Sequence, residues 1–225
     1  MLLEVCANSL QSALNSDRAG AQRIELCDHL EVGGLTPKET LIQKVLDQTT
    51  LQVFILIRPR AGDFIYTDDE FDQMKCQIEL AKTLGCHGIV AGVLNHDRTI
   101  DYERTAALIR LAKPLAFTFH RAFDELNDPH LGLQQLIALG VDRILTSGQA
   151  PSALLGIKLL TELMLTAKSD LIILPGAGIH PENAMAFKRR GFSELHASAR
   201  TRKDGGSPTE HSDQAIIEDL IKIIN

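Results

Sequence analysis

Two apolar stretches near the start of the chain, LLEVCAN at residues 2–8 and RIELCDH at residues 23–29, share the pattern Glu-x-Cys. Glu4 precedes Cys6 in the first, and Glu25 precedes Cys27 in the second. Side chains alternate between the two faces of a β-strand, so each Glu and its Cys would share one face. The aliphatic neighbours would then share the other. The two stretches predict adjacent strands with one apolar face and one face of carboxylates and thiols.

Strand-like segments recur along the whole chain and alternate with helical patterns. The predicted strands cover residues 2–6, 23–27, 51–57, 88–94, 115–120, 142–146, 170–174 and 194–198. This alternation predicts a parallel sheet, and eight units in 225 residues fit a single-domain α/β fold, a (β/α)8 TIM barrel over residues 1–225. An open doubly wound sheet is the alternative, although no Gly-x-Gly-x-x-Gly follows the first strand.

Helix boundaries can be predicted from capping residues. Thr36, followed by Pro37 and Glu39, predicts the start of the helix in TPKETLIQKVLDQT, and Thr67 predicts the start of the next one. Residues 205–212 predict a loop. A C-terminal helix over about residues 212–225 has an isoleucine-rich face that would pack against the barrel or a neighbouring subunit.

Composition narrows the class of protein. The chain is 44% hydrophobic and 23% charged with a formal net charge of -6, which fits a globular protein and argues against general nucleic-acid binding. No apolar run reaches the roughly 18 residues of a membrane span, and Glu4 stands where a signal peptide carries basic residues. A cytoplasmic protein is expected. The 4 Cys form no Cys-x-x-Cys pair, which predicts reduced thiols rather than a disulfide scaffold or a closed zinc site.

Strand alternation also predicts what lies inside the barrel. The outer face must be apolar because it contacts the helices, so Glu4, Cys6, Glu25 and Cys27 would point inward. The same reasoning pairs Arg58 with Arg60, Thr118 with His120, and Glu194 with His196 and Ser198. Buried charges are costly unless they are paired. The interior would hold either a structural ion network or a site at the C-terminal mouth of the barrel.

The strand ends favour an anion site at that mouth. A glycine-rich turn after the seventh strand would present backbone N–H groups to a phosphate or carboxylate, and arginines could clamp the anion. Arg58 and Arg60 could instead pair with Glu25 or Asp63. The candidate anion-binding residues are Arg58, Arg60, Arg121, Ser147, Gly176, Gly178 and Ser198. The candidate acids and bases are His120 and His196, helped by Glu25 or Asp124. Together they would make an enzyme or binder of a small phosphorylated or anionic metabolite.

The two cysteines offer a different chemistry. Neighbouring strands lie about 4.8 Å apart, so the sulfurs of Cys6 and Cys27 could approach within about 4–5 Å. Two metal–thiolate bonds of about 2.3 Å span up to roughly 4.6 Å, and a two-thiolate site suits Cu(I) better than Zn(II). A disulfide is the geometric alternative, although a reducing cytosol disfavours it. Simple packing of two small side chains is the structural alternative.

Nine motifs along the chain together resemble one family. EVCANS, GAQRIELC, GGLTP, IRPRAGDFIYTDDEF, VAGVL, FHRAFD, RILTSG, GAGI and ELHASA occur in order between about residues 3 and 200 and are similar to the CutC copper-homeostasis family. The resemblance implies a (β/α)8 barrel, a cytosolic location, homo-oligomers that are commonly dimers or tetramers, and a link to copper handling. In some members Cu(I) binding is attributed to cysteines that match Cys6 and Cys27. The stretch after Ser198 is shorter than is usual in the family.

Overall fold

A computed structural model describes residues 1–201 and 209–225 and confirms the (β/α)8 TIM barrel. The strands are β1 (Leu2–Ala7), β2 (Arg23–Leu26), β3 (Gln52–Leu56), β4 (Gly88–Ala91), β5 (Ala116–Phe119), β6 (Arg143–Thr146), β7 (Ile172–Pro175) and β8 (Glu194–Ala197). The helices are α1 (Leu10–Arg18), α2 (Glu39–Gln48), α3 (Asp68–Thr83), α4 (Tyr102–Ala112), α5 (Pro129–Leu139), α6 (Ile157–Ala167), α7 (Pro181–Lys188) and α8 (Gln214–Ile224).

The strands form one parallel sheet in the order β7-β6-β5-β4-β3-β2-β1-β8. β7 and β8 lie beside each other at the two ends of this order, which nearly closes the ring. In β1 and β2, Cys6 is level with Glu25, and Glu4 is level with Arg23. The C-terminal ends of all the strands therefore meet at one mouth, where the site must be built.

The two faces of the sheet separate as the alternation predicts. Val5 and Ile24 are fully buried in the shell between the strands and the helices. A second, smaller apolar cluster lies inside the ring and contains Cys6, Cys27, Phe54, Leu56 and Val90. The inward direction of Cys6 and Cys27 is thus confirmed.

One of the two predicted helix caps is wrong. Thr67 caps α3 with a capping box to Glu70, as expected. α2, however, begins at Glu39 after Lys38, and its cap makes no side-chain hydrogen bond. The Thr36 hydroxyl is used elsewhere, because it accepts a hydrogen bond from the backbone N–H of Arg58 at 2.8 Å. Thr36 therefore ties the β2–α2 loop to the end of β3.

The C-terminal helix is confirmed as α8, which buries Ile217, Leu220 and Ile224. Of the predicted loop at residues 205–212, positions 205–208 lie outside the described residues. None of the helices in the described ranges is long and apolar enough to span a membrane.

Candidate functional site

A cavity of about 270 Å³ opens at the C-terminal mouth of the barrel. Its walls come from the last residues of several strands and from the loops that follow them. They are Cys6, Glu25, Leu30, Gly33, Leu56, Arg58, Phe64, His120, Arg121, Leu145, Ala177, Gly178, His196 and Ser198. Seven of the sequence-predicted site residues, in addition to Cys6, therefore share one cavity: Glu25, Arg58, His120, Arg121, Gly178, His196 and Ser198.

A buried ion network lies inside the ring, towards the N-terminal ends of the strands. The Nε of Arg23 donates to Glu4 at 2.6 Å, and the same guanidinium pairs with Glu194. Arg143 donates to Glu194 at 3.0 Å, and the Nδ1 of His196 lies 2.7 Å from the other oxygen of Glu4. The negative charges of two carboxylates thus balance the positive charges of two guanidinium groups, and His196 is hydrogen-bonded to one of these carboxylates, Glu4.

Sequence reasoning missed two members of this network, Arg23 and Arg143. Arg23 stands two residues before Glu25 and so shares its face of β2, a signal that was available. Arg23 is only 1% exposed, although arginine is rarely buried so deeply without paired charges.

The network sets the charge on Glu4 and His196. Burial by itself would raise the pKa of Glu4, but the hydrogen bond from His196 and the charge of Arg23 lower it from 4.5 to about 2. Burial opposes the charged form of His196 too, yet hydrogen bonds to Cys6 and Glu4 and the nearby carboxylate charges raise its pKa well above 6.5. His196 is therefore an imidazolium that donates Nδ1–H to Glu4.

Glu25 lies just above this network and lacks a full set of partners. Burial raises its pKa from 4.5 to about 7, against the charges of His196 and Arg23. Its Oε2 is buried and has no hydrogen-bond partner among the described residues. Its Oε1 lies 4.0 Å from the Cys6 sulfur. Glu25 therefore keeps an unused acceptor at the wall of the cavity.

His120 is the second buried group with an unused polar atom. Burial and the charge of Arg58 lower its pKa from 6.5 to about 3, so the imidazole is neutral. Its Nδ1 accepts the backbone N–H of Ala122 at 3.3 Å, which leaves the proton on Nε2. Nε2 has no partner among the described residues. The Phe64 ring packs on the imidazole with centroids 4.7 Å apart.

The two predicted clamp arginines are separated by the structure. Arg58 lines the cavity, but its guanidinium donates to the carbonyls of Val32, Gly34 and Gly62 at 2.7–3.0 Å. Arg60 lies outside the cavity, where it pairs with acidic side chains of the β3–α3 region. Strand alternation fails here because β3 ends at Leu56 and the chain turns before Arg60.

Asp124 is not at the cavity wall. Its carboxylate accepts hydrogen bonds from the Thr146 hydroxyl at 2.5 Å and from the backbone N–H groups of Ser147 and Gln149. It also pairs with Arg121 at 2.9 Å. Asp124 thus fastens the loop after β6 to the loop after β5, and Ser147 is buried within that contact.

The glycines after β7 have different surroundings. The N–H of Gly176 donates to the carbonyl of Thr146 at 3.0 Å. A Cβ at this position would meet Leu145 at 2.5 Å and His196 at 3.4 Å, so Gly176 makes room for these two side chains. Gly178 lines the cavity with Ser198.

The paired thiols approach each other beside the cavity, which Cys6 lines and from which the fully buried Cys27 is excluded. The sulfurs of Cys6 and Cys27 are 3.8 Å apart, and both residues are free and buried. Contact with Cys27, followed by burial, raises the pKa of Cys6 well above 9.0, so its thiol is protonated at neutral pH. Cys6 also belongs to a second donor group, with Glu25 and His196, whose ligand atoms all lie within 4.8 Å of one another.

Comparisons with known proteins agree on one family. A family model described as the CutC family matches residues 1–201. A copper homeostasis protein cutC homolog of Homo sapiens is 44% identical over 216 residues, which cover 96% of this chain and 79% of that protein. A CutC family protein of Parabacteroides distasonis is 45% identical over 202 residues, which cover 89% of this chain and 83% of that one.

A solved structure supports the same assignment. The crystal structure of a CutC protein from Streptococcus agalactiae is 33% identical in sequence and superposes with a TM-score of 0.83, covering 88% of this chain and 98% of that one. The structure of the aldolase QR15 superposes with a TM-score of 0.70 at 15% identity, which shows a shared barrel fold and nothing more. From these matches in sequence and structure, the chain belongs to the CutC family of copper-homeostasis proteins.

Proposed function

We propose that this chain binds Cu(I) through Cys6 and Cys27 as part of copper homeostasis. The observation that carries the proposal is the 3.8 Å separation between the sulfurs of two free cysteines, of which Cys6 lines the cavity. Thiolates are the soft ligands that Cu(I) prefers over carboxylates and carbonyls. The family to which the chain belongs supports the choice of metal.

The sulfur geometry fits this metal after a small adjustment. Two bonds of about 2.3 Å in a straight line require sulfurs roughly 4.6 Å apart. The observed 3.8 Å is shorter, so a linear site needs the thiols to separate by a change of side-chain rotamer. Ionising the thiols also favours separation, because two thiolates repel each other. The ring of strands need not move.

The second donor group offers an alternative way to use Cys6. Glu4 accepts the Nδ1–H of His196, and a carboxylate in this position orients a metal-binding imidazole. Binding of a metal by Cys6 and His196 would displace protons from both residues. The pair Cys6–Cys27 remains the proposal for Cu(I) because it supplies two soft ligands, whereas the other group supplies one.

Single substitutions separate the two donor groups. Anaerobic Cu(I) titration against a chromophoric chelator should show one ion bound per chain in the wild type and none in Cys6→Ser. Cys27→Ser should abolish binding and His196→Gln should preserve it if the thiol pair holds the ion. If instead Cys27→Ser preserves binding and His196→Gln abolishes it, the ion is held by the group of Cys6, Glu25 and His196. Cys86→Ser is the matched control, because Cys86 is buried away from the cavity.

We infer a second function for the same cavity, the binding or conversion of a small anionic metabolite. The observation that favours it is a set of three buried polar atoms without partners among the described residues, on side chains that line the cavity: Glu25 Oε2, Arg58 Nε and His120 Nε2. The cavity is also far larger than one metal ion needs. His120 would donate a hydrogen bond to the bound molecule, and His196 with Glu25 would exchange protons with it. Asp124 would act through Arg121 rather than by contact.

A thermal-shift screen tests this second function, because a ligand that binds the native state raises its melting temperature. Small phosphates and carboxylates should give shifts that His120→Phe removes. If no such compound raises the melting temperature, the small-molecule function is refuted and only the copper function remains.

Two further expectations accompany these functions. Reduced, closely spaced thiols persist in a reducing compartment, and we propose a cytoplasmic location on that basis. We also propose that the chain forms homo-oligomers, and the strongly exposed Leu155 and Leu165 near α6 are candidates for the contact. Sedimentation of the purified chain measures the subunit number directly.

A further inference from the structure

His120 is held in place more firmly than a packing residue requires. Gly92 leaves the space it occupies, since a Cβ there would lie 2.7 Å from Nδ1. The rings of Phe64 and Phe119 flank the imidazole, and Ala122 fixes its tautomer. Yet Nε2–H, on a side chain only 4% exposed, has no acceptor among the described residues. A buried donor without a partner costs about 1–3 kcal/mol, which a bound acceptor would recover.

The loop after β7 presents further unused donors on the same cavity. Ala177 and Gly178 both line it and have left-handed backbone conformations, with φ of 80° and 72°. The backbone N–H groups of Ala177 and Gly178, and that of the neighbouring Ile179, which does not line the cavity, donate to no backbone carbonyl within residues 1–201 and 209–225. Successive N–H groups in such conformations form concave sites for anions. α7 begins at Pro181, two residues further on, and its N-terminus adds positive potential.

Ser198 and two arginines complete this side of the cavity. Ser198, after β8, makes no hydrogen bond with any other described residue and lines the same cavity. Arg58 contributes positive charge from a buried position; its terminal N–H groups donate to loop carbonyls, and its Nε has no partner among the described residues. Arg121 is 48% exposed and pairs with Asp124 on one edge. The acidic wall residue, Glu25, lies beside Cys6 and the buried ion network.

We propose that the cavity binds a small phosphate monoester, with the phosphoryl group on the β7–α7 loop N–H groups and the Ser198 hydroxyl. His120 Nε2–H donates to an oxygen on the carbon chain of the same molecule. The cavity volume of about 270 Å³ is at or below the low end of small-molecule sites, which suits a ligand of few carbons. This inference rests on the small-molecule function proposed above and names its class of ligand.

Titration calorimetry with three probes tests the proposal: inorganic phosphate, glycerol phosphate and unphosphorylated glycerol. Glycerol phosphate should bind more tightly than phosphate, and glycerol should not bind measurably. Ser198→Asp puts a carboxylate where the phosphoryl group would lie and should weaken glycerol phosphate by about tenfold or more. Ser193→Asp is the matched control, because Ser193 is exposed just before β8 at the opposite end of the barrel. It should bind like the wild type.

A second set of variants examines the contact to His120. His120→Phe keeps an aromatic ring without the donor and should lose most of the difference between glycerol phosphate and phosphate. His120→Gln restores an N–H near the position of Nε2 and should recover part of it. Circular dichroism confirms that each variant is folded.

The outcomes also distinguish this proposal from the one on which it rests. Equal binding of glycerol phosphate to Ser198→Asp, Ser193→Asp and wild type overturns the phosphate site. Binding of a carboxylate probe such as glycerate that depends on His120, without any gain from phosphate, overturns the phosphate site and leaves the small-molecule function standing. If none of these probes binds at millimolar concentration, both the phosphate site and the small-molecule function are refuted.

Discussion

Replacing Glu4 by Gln would test how the buried ion network stabilises the barrel. Glu4 is fully buried and contacts both Arg23 and His196. Its pKa falls from 4.5 in the unfolded chain to about 2 in the folded one. At 1.36 kcal/mol per unit, the ionised carboxylate contributes about 3 kcal/mol at pH 7. Breaking a buried ion pair typically costs about 3–5 kcal/mol, which is consistent. Glu4→Gln should therefore lower the free energy of unfolding by about 3 kcal/mol.

The pH dependence of the free energy of unfolding tests whether the ionised form of Glu4 is the source of this stability. A carboxyl group whose folded pKa is depressed adds stability above its unfolded pKa and loses it as pH falls towards the folded pKa. The difference between wild type and Glu4→Gln should thus stay near 3 kcal/mol from pH 7 to 5 and shrink to about 2 kcal/mol at pH 3.5. His196 remains charged across this range. Glu25, whose pKa of about 7 is raised by burial and in part by the charge of Glu4, titrates in the upper part of the range, so the titration of Glu4 sets the slope at pH 5 and below.

Urea denaturation of both proteins at four or five pH values measures this difference directly. Glu39→Gln serves as the control, because Glu39 is exposed at the start of α2 and should change stability by less than about 0.5 kcal/mol. A loss below about 1 kcal/mol at pH 7, or one that does not shrink in acid, would refute the reasoning. It would mean that the amide satisfies Arg23 and His196 as well as the carboxylate does.

Three other predictions concern the site. In ¹⁵N spectra of the imidazoles, His120 should stay neutral down to about pH 4, and His196 should stay charged above pH 7. If His120 took up its proton at a higher pH than His196, the burial and charges assigned to the two residues would be contradicted. Arg58→Gln should lower the free energy of unfolding in urea by about 2–3 kcal/mol, because the Arg58 side chain donates to three loop carbonyls. Arg60→Gln should lower it by less than about 1 kcal/mol, because the Arg60 side chain is partly exposed. Equal losses for the two variants would contradict this distinction. Gly92→Ala should lower the free energy of unfolding by about 1–3 kcal/mol, because the added Cβ clashes with His120. In a double-mutant cycle with His120→Ala, much of this loss should disappear. Full additivity of the two losses would exclude the clash as the cause.

The local pattern of the sequence could predict the barrel and its inward face. Alternation in LLEVCA and RIELC is a property of single strands, and an apolar face must meet the helices whatever the rest of the chain does. The inward direction of Glu4, Cys6, Glu25 and Cys27 follows from that requirement alone. The same alternation failed at Arg60, because a strand end is set by loop contacts that the pattern does not contain.

The chemistry of the site depended on contacts between distant parts of the chain. Glu4 and His196 are 192 positions apart and meet only because β8 lies beside β1. His120 and His196 are the same residue type at similar strand ends, yet one is neutral and the other charged. Burial disfavours charge on both, and only at His196 do hydrogen bonds to Cys6 and Glu4, with the charges of Glu25 and Glu4, outweigh it. The sequence determined which groups enter the ring; closure of the ring decided their partners, and the partners set their charge.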